Sequence, residues 1–369
     1  TEPITEDQTI GWFGIPLETP GVEIDGKIMG DFVKPEILLN THSTNLRVYG
    51  ELVKECDLSI SQENGRNRVT ARLTGLGELE TGLITILGSF DLESLDITTT
   101  INELPISYFN PFLAKNTATL DGYLHGVFSI DGSFKSPIIS GNGTIDNCIV
   151  EVDYLGTQYR VNGGFDVEPD AIELNGLNVD DGKGGGGFLV GTVLHDQFRD
   201  WNIDVSLSAE ENPIELMNIP YSPERYFYGT GKGVGDFNVF GYEEHIVIEA
   251  NIVTSEGTEF VLPMDVVSSG KWSSFIEIKG EEGNISEQIK AEEEQKTQVS
   301  LDINVEATPD SKARIVFDSD LGDEITGRCR GHLHIDLHDL ERLEMFGDLE
   351  IVEGEYAFNL KNIISKKFE

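Results

Sequence analysis

An all-β fold is what this sequence predicts, and three observations predict it. Apolar and polar residues alternate with a period of two along most of the chain, helical periodicity is almost absent, and glycine recurs at turns. Period-two spacing sends alternate side chains to opposite faces of a sheet. The pattern therefore predicts antiparallel strands with one apolar and one solvated face.

The alternation is clearest in Gln298–Ala307 and Trp201–Ala209, where every second residue is apolar and the intervening ones are polar. The same pattern runs through six further segments: Val69–Leu79, Leu95–Ile101, Tyr159–Val167, Ile246–Ile252, Leu333–Leu337 and Tyr356–Leu360. Asn284–Lys296 is the best helical candidate, but it is acidic and poor in apolar residues, which favours a solvated insertion or a short surface helix.

Internal repeats organise these strands. Pro105 is followed by Gly122, Gly126, Ile130 and Gly132, and the same order recurs at Pro213, Gly231, Gly235, Val239 and Gly241. A weaker copy has Pro309, Gly327, Gly331 and Ile335. Repeats built from strands alone favour a linear array in which each unit extends the sheet of its neighbour, and a compact sandwich is the alternative.

Charge and composition exclude several functions. The chain has 66 Asp and Glu against 26 Lys and Arg, a formal net charge of -40, which excludes nucleic acid as a partner because phosphate binding requires clustered basic residues. The acidity indicates a solvated exterior, with dispersed Ca²⁺ sites as the alternative. Cys56, Cys148 and Cys329 are far apart and read as small buried apolar residues.

No catalytic or metal site is predicted. His332, His334 and His338 alternate with apolar residues, so they are expected on the solvated face, with a zinc or copper site as the alternative. The glycine-rich segment Asp180–Gly187 lacks the order of a phosphate-binding loop and is expected to be a hairpin turn. Because no catalytic constellation is readable, we expect a protein that is not an enzyme and has no cofactor.

The repeats contain two sets of short motifs. The first comprises Leu104–Leu113, Leu120–Gly126 and Ser136–Gly141, and the second comprises Leu216–Pro220, Phe227–Thr230 and Gly257–Pro263. The first set resembles the repeat of the AsmA-like and TamB envelope proteins, the translocation and assembly module family, and the second set is similar to its Bacteroidota-type form. The start of the TamB C-terminal domain resembles Thr326–Gly331 followed by Gly354–Phe368.

The resemblance implies an elongated, repetitive antiparallel sheet curled into an open apolar groove, the β-taco, with few or no helices. It implies a periplasmic protein anchored in the inner membrane by an N-terminal helix that is absent here. Its implied function is to conduct phospholipid to the outer membrane and to support protein assembly there. The implied partners are phospholipid acyl chains and, through the C-terminal end, an Omp85-class (TamA-like) outer-membrane barrel.

Physical chemistry also favours a groove. An apolar sheet face must be covered by a second sheet, by helices or by an apolar ligand, since its exposure to water is unfavourable by roughly 25 cal/mol per Å². The residues expected to line the groove are Trp201, Ile203, Val205, Leu207, Ile246, Ile248, Val299, Leu301, Ile303, Val305, Leu333, Ile335, Leu349, Ile351, Tyr356 and Phe358. The alternative is a structural or adhesin-like extracytoplasmic β-array with a closed, dry core.

Five segments are expected. Groove repeats occupy residues 1–103, 104–212 and 213–280, an acidic insertion occupies 281–298, and the start of a TamB-like C-terminal domain occupies 299–369.

Overall fold

Strands account for nearly all of the described chain. The computed structural model describes residues 17–18, 21–31, 34–48, 51–63, 65–76, 82–91, 93–112, 119–153, 155–197, 199–222, 227–242, 245–264, 298–318, 321–338, 342–360 and 364–368. The strands are β1 Leu17–Glu18, β2 Val22–Asp31, β3 Lys34–Val48, β4 Glu51–Glu63, β5 Arg66–Leu76, β6 Leu83–Phe90, β7 Leu95–Pro105, β8 Thr119–Ser133, β9 Ser136–Val152, β10 Thr157–Glu168, β11 Ala171–Asp180, β12 Gly186–Asp196, β13 Arg199–Ile219, β14 Tyr228–Tyr242, β15 His245–Thr254, β16 Glu259–Pro263, β17 Gln298–Ala307, β18 Lys312–Asp318, β19 Asp323–His338, β20 Arg342–Leu360 and β21 Ile364–Phe368.

The predicted all-β class is confirmed. Within the described residues the one helix is a 3₁₀ helix, Ile106–Phe112. The chain divides into two compact units. The first comprises Thr1–Glu151, Gln158–Val179 and Phe188–Asn202, and the second comprises Val152–Thr157, Asp180–Gly187 and Ile203–Glu369.

In the first unit, β2 to β9 pair antiparallel, each with the next strand along the chain. Residues that pair directly share a sheet face, and the register brings apolar residues together on one face: Leu58 lies opposite Ala71, which lies opposite Ile86. Alternation along each strand and register between strands thus produce a continuous apolar surface.

The 3₁₀ helix lies in the proline-bearing connection between β7 and β8. Ile106 is buried, and the Tyr108 hydroxyl donates a hydrogen bond to the Leu52 carbonyl at 3.1 Å. The Asn110 side chain bonds both backbone groups of Leu120, donating to its carbonyl at 2.9 Å and accepting from its N–H at 2.8 Å. A side-chain amide therefore replaces a strand partner where β8 begins.

In the second unit the sheet is mixed, which departs from the wholly antiparallel sheet that we expected. β15 pairs parallel with β17, and β16 pairs parallel with β18. The other pairings from β14 to β21 in the described residues are antiparallel. Two parallel strands require a connection of roughly a dozen residues or more, and residues 265–297 provide it.

The predicted acidic insertion at 281–298 and the helical candidate Asn284–Lys296 fall in this connection. Apart from Gln298, the first residue of β17, they lie outside the described residues.

Two long strands of this unit, β14 and β19, each pair with two shorter strands along one edge. β14 pairs with β15 along Gly233–Tyr242 and with β16 along Tyr228–Thr230. β19 is covered in the same way by β17 and β18. Hydrogen bonds join the break between β15 and β16 to the break between β17 and β18. Thr308 donates its N–H to Thr254 Oγ1 and its hydroxyl to the Thr254 carbonyl, each at 2.9 Å.

Candidate functional site

Four neighbouring strands of the second unit bring their apolar residues to one face. Ile248 of β15 lies opposite Leu301 of β17, and Ile246 lies opposite Val299. Ile303 and Val305 lie opposite Ile335 and Leu333 of β19, which in turn face Met345 and Gly347 of β20. We call this surface the apolar face of the second unit, and the opposite side the polar face.

Strand β13 joins the same face through its odd-numbered residues. The hydroxyls of Ser206 and Ser208 donate hydrogen bonds to the side chains of Asn238 and Asp236, at 2.7 and 2.8 Å. Asn238 pairs with Glu249 on the polar face, so the serines also lie there. The alternating residues of β13 in this unit therefore lie on the apolar face: Ile203, Val205 and Leu207.

Trp201 belongs to the first unit. Its ring meets that of the buried His195 edge-on, with 5.2 Å between the ring centroids.

A β-bulge in β20 places the last four predicted groove residues on the same face. Leu349 and Ile351 have odd numbers, Tyr356 and Phe358 have even numbers, and a regular strand would place the two pairs on opposite faces. The register shifts here, because Cys329 pairs with Ile351 whereas Arg328 pairs with Glu353, so Val352 is an extra residue. All four side chains consequently belong to the apolar face.

Register adds residues that the predicted groove lining did not include. Val239 and Phe237 of β14 lie opposite Ile248 and Ala250, and Ile252 lies opposite Val305. Phe237 and Val239 sit in a glycine-rich strand whose periodicity is diluted, so only the observed pairing identifies them.

Accessibility distinguishes long from short side chains on this face. Ala250, Ala307 and Cys329 are buried. None of the sixteen predicted residues is: fourteen are half-buried, and Leu349 and Ile351 are 36% and 46% exposed. A closed core would leave long apolar side chains almost inaccessible. In the described part of the chain, their ends therefore remain open to a ligand.

The polar face carries His332, His334 and a row of acids. His334 Nδ1 lies 3.0 Å from Asn304 Oδ1 and 3.6 Å from Asp302, and its ring stacks on Phe346. His332 shares its face because it alternates with Leu333. The side chain of His338, the third predicted histidine, lies outside the described part of the structure. Among the described residues no group of three potential ligands could hold a metal ion.

Four carboxylates line up across adjacent strands of this face. Glu249 pairs with Asp302, Asp302 pairs with Asp336, and Asp336 pairs with Glu344. Directly opposed like charges destabilise a sheet and keep it hydrated. This side of the second unit is therefore suited to water and unsuited to apolar ligands.

The glycine-rich segment Asp180–Gly187 connects β11 to β12. Asp181 is buried, and its carboxylate accepts hydrogen bonds from the N–H groups of Lys183 at 2.7 Å, Gly185 at 2.8 Å and Glu215 at 2.9 Å. Lys183 Nζ contacts both carboxylate oxygens of Glu215 at 2.6 Å. Backbone donors that a phosphate would require are thus already occupied by Asp181.

Comparison with known proteins identifies one family. The family model of the TamB C-terminal domain matches residues 175–369, more than half of the chain. The match begins upstream of residue 299, where we expected this domain to start, and the predicted segment boundaries remain a prediction. Neither the curated proteins nor the solved structures include a match to the chain. Of the helices in the described residues, none is long and apolar enough to span a bilayer.

Proposed function

Since this chain belongs to the TamB family, whose members are extracytoplasmic and act in outer-membrane protein assembly and transport, we propose that its apolar face is a lipid-conducting groove. In this proposal the groove holds phospholipid acyl chains in the periplasm and carries them towards the outer membrane. The groove-lining role of the sixteen predicted residues is part of the proposal.

The observation that carries the proposal is the accessibility of the long apolar side chains. Ile248, Leu301, Ile303 and Ile335 lie side by side across three strands, and each is half-buried. Leaving such a surface in water costs roughly 25 cal/mol per Å². Acyl chains would remove that cost without hydrogen bonds, because this face presents methyl and methylene groups.

The polar face also supports a sheet whose apolar face meets lipid and whose polar face meets water. Its carboxylate row and histidines are suited to the aqueous periplasm, whereas burial of carboxylates against a second sheet would cost roughly several kcal/mol. A closed sandwich could cover only the apolar face. A bound acyl chain would cover the apolar face, and without it the long side chains would be accessible, as they are in this structure.

Partners and localisation follow from the family. We propose that the full-length protein is anchored in the inner membrane by an N-terminal helix and that its C-terminal end engages an Omp85-class, TamA-like outer-membrane barrel. The family associates with the outer-membrane assembly machinery.

Bound lipid tests the proposal. The protein is purified without detergent, and its phospholipid-to-protein ratio is measured by mass spectrometry of an organic extract. Wild-type protein is expected to retain phospholipid. The double variant Leu301→Asp/Ile303→Asp is expected to fold and to retain much less, because a desolvated carboxylate costs roughly several kcal/mol and otherwise draws water onto the face.

Asp302→Leu is the matched control, since Asp302 lies between the two mutated residues but on the polar face. It is expected to keep the wild-type lipid ratio and to reduce solubility. Circular dichroism verifies folding of both variants. If the double variant unfolds, the face is the closed dry core of a structural β-array. Full lipid occupancy in a folded double variant would mean that lipid binds elsewhere.

A further inference from the structure

One end of the apolar face carries an acidic side chain among aromatic rings. Asp323 is the first residue of β19, and Tyr356 lies opposite Ile325, the next residue of β19 on the same face. Ala357 lies opposite Glu324, so the register brings Phe358 level with Asp323. The Tyr356 ring centroid lies 6.4 Å from that of Phe317 and 6.0 Å from that of Phe358.

The electrostatics of Asp323 are unbalanced. Its Oδ1 atom is buried and has no hydrogen-bond partner. In the described part of the chain no Lys or Arg forms an ion pair with it. Arg314, on the neighbouring strand β18, pairs with Glu324 at 2.7 Å, and Glu324 lies on the polar face because it alternates with Asp323.

Tyr356 reports the same negative charge. Its pKa is raised, first by burial, then by the charge of Asp323 and by a hydrogen bond with that carboxylate. Asp323 thus lies within reach of the ring, while its second oxygen is left without a donor. A buried carboxylate oxygen is unfavourable unless a donor or a cation reaches it.

Aromatic rings around a carboxylate are suited to one class of ligand. The faces of Phe and Tyr rings attract cations, most strongly alkylammonium groups whose methylene or methyl groups also pack on the rings. Phe317 is 42% exposed, so an open approach exists, and the acid supplies the full counter-charge. A phosphate or carboxylate would be repelled by Asp323.

We propose that Phe317, Asp323, Tyr356 and Phe358 form a binding site for an alkylammonium group at the rim of the apolar face. The group can belong to an aminophospholipid headgroup or to a free amine. The lipid source rests on the proposed function, because acyl chains on the apolar face would place the headgroup of a bound phospholipid at a rim. The site then makes the groove prefer ethanolamine-bearing lipids over anionic ones.

Short-chain lipids below their micellar concentration test the preference. The affinity of the whole chain for dihexanoyl-phosphatidylethanolamine and for dihexanoyl-phosphatidylglycerol is measured by calorimetry in about 0.3 M NaCl, which screens the net charge of the protein. Wild-type protein is expected to prefer the ethanolamine lipid by roughly three- to tenfold. Asp323→Asn and Phe317→Leu are each expected to remove the preference, mainly by lowering affinity for the ethanolamine lipid.

Two variants on the polar face serve as controls. Asp302→Asn removes the same charge, and Phe346→Leu removes an exposed ring, so both are expected to keep the preference. Equal affinity of wild-type protein for the two lipids would overturn the site. Loss of the preference in Asp302→Asn would overturn it as well, because the preference would then reflect overall charge.

A titration with free ethanolamine distinguishes a lipid headgroup from a free amine as the ligand. It also tests the alkylammonium site independently of the proposed lipid-conducting function. If the amine alone perturbs the NMR signals of Tyr356 and Phe358 as strongly as the ethanolamine lipid does, and Asp323→Asn abolishes both effects, the ligand is a free amine. If no phospholipid binds, the proposed function fails, and the amine titration alone decides the site. No saturable response to ethanolamine or to the ethanolamine lipid overturns the inference.

Discussion

Individual residues hold this sheet together where its regular pattern is interrupted. Asp181 is buried at the turn between β11 and β12, and its carboxylate takes the place of a neighbouring strand for Glu215 N–H. The same turn packs closely on β13, because a β-carbon on Gly185 would overlap the Pro213 carbonyl, so this position requires glycine.

Replacing Asp181 tests this role. Asp181→Ala is expected to lower the free energy of unfolding by roughly 2–4 kcal/mol, because three backbone N–H groups lose their acceptor. Urea denaturation followed by circular dichroism measures the loss. Asp180→Ala is the control, since Asp180 accepts only from Gly182 in an exposed turn, and its expected cost is below roughly 1 kcal/mol. Equal losses in the two variants would contradict the role assigned to Asp181.

Removal of one charge from the row of four carboxylates is expected to raise stability, whereas Asp181→Ala lowers it. Glu249→Gln removes one of four charges that face each other across the polar face, and it is expected to stabilise the protein by up to roughly 0.5 kcal/mol. Glu256→Gln, in the exposed turn after β15, controls for the overall loss of one charge. The gain should shrink in high salt, and a gain that is the same at all salt concentrations would point to another cause.

Sequence alone could not have revealed the residues around Asp323. Phe317, Asp323 and Phe358 belong to three different strands, and Phe317 lies at a register shift between Val316 and Asp318 that no periodicity indicates. Asp181 was equally hidden, because a buried aspartate in a glycine-rich turn has the same letters as an exposed one. The glycines of the turn indicated a turn but not its hydrogen bonds.

At the scale of single elements, alternation predicts faces well and pairing poorly. The segment Gln298–Ala307 was predicted as a strand and is β17 with the same bounds. Its partner β15 could not be predicted, because a period of two specifies which side chains share a face and leaves the neighbour and its direction open. The parallel pairing depends on the connection at residues 265–297.

The bulge at Val352 predicts how β20 responds to the loss of one residue. Deletion of Val352 joins Ile351 directly to Glu353, so β20 alternates regularly and its apolar side chains stay on the apolar face without a bulge. We expect the midpoint of thermal unfolding to stay within roughly 3 °C of that of Val352→Ala, which keeps the backbone length and trims an exposed side chain. A fall of roughly 5 °C or more in the deletion variant alone would mean that the bulge itself is required for pairing with β19.

For the whole molecule, charge dominates. A formal net charge of -40 favours solubility despite the accessible apolar surfaces. The same charge also destabilises the folded chain, because its like charges repel one another. Raising NaCl from about 0.02 M to about 0.3 M shortens the screening length from about 20 Å to about 6 Å. The urea midpoint is therefore expected to rise with salt.

Magnesium chloride at matched ionic strength is the control for this effect. A midpoint that rises no further with Mg²⁺ than with Na⁺ is expected, because the described residues hold no cluster of three or more potential metal ligands. A much larger rise with Mg²⁺ would point to dispersed cation sites, and a midpoint that falls with NaCl would contradict the repulsion argument.

The two parallel pairs also dictate an order of events when the second unit folds. The hairpins β14–β15 and β19–β20 join segments that are close in sequence, so each can form locally within microseconds to milliseconds. The seam between β15 and β17 must wait, because the chain has to close a long loop before any of its contacts form. Two preformed blocks would thus meet in the last step, and until then the edge of β15 that receives β17 would stay unpaired.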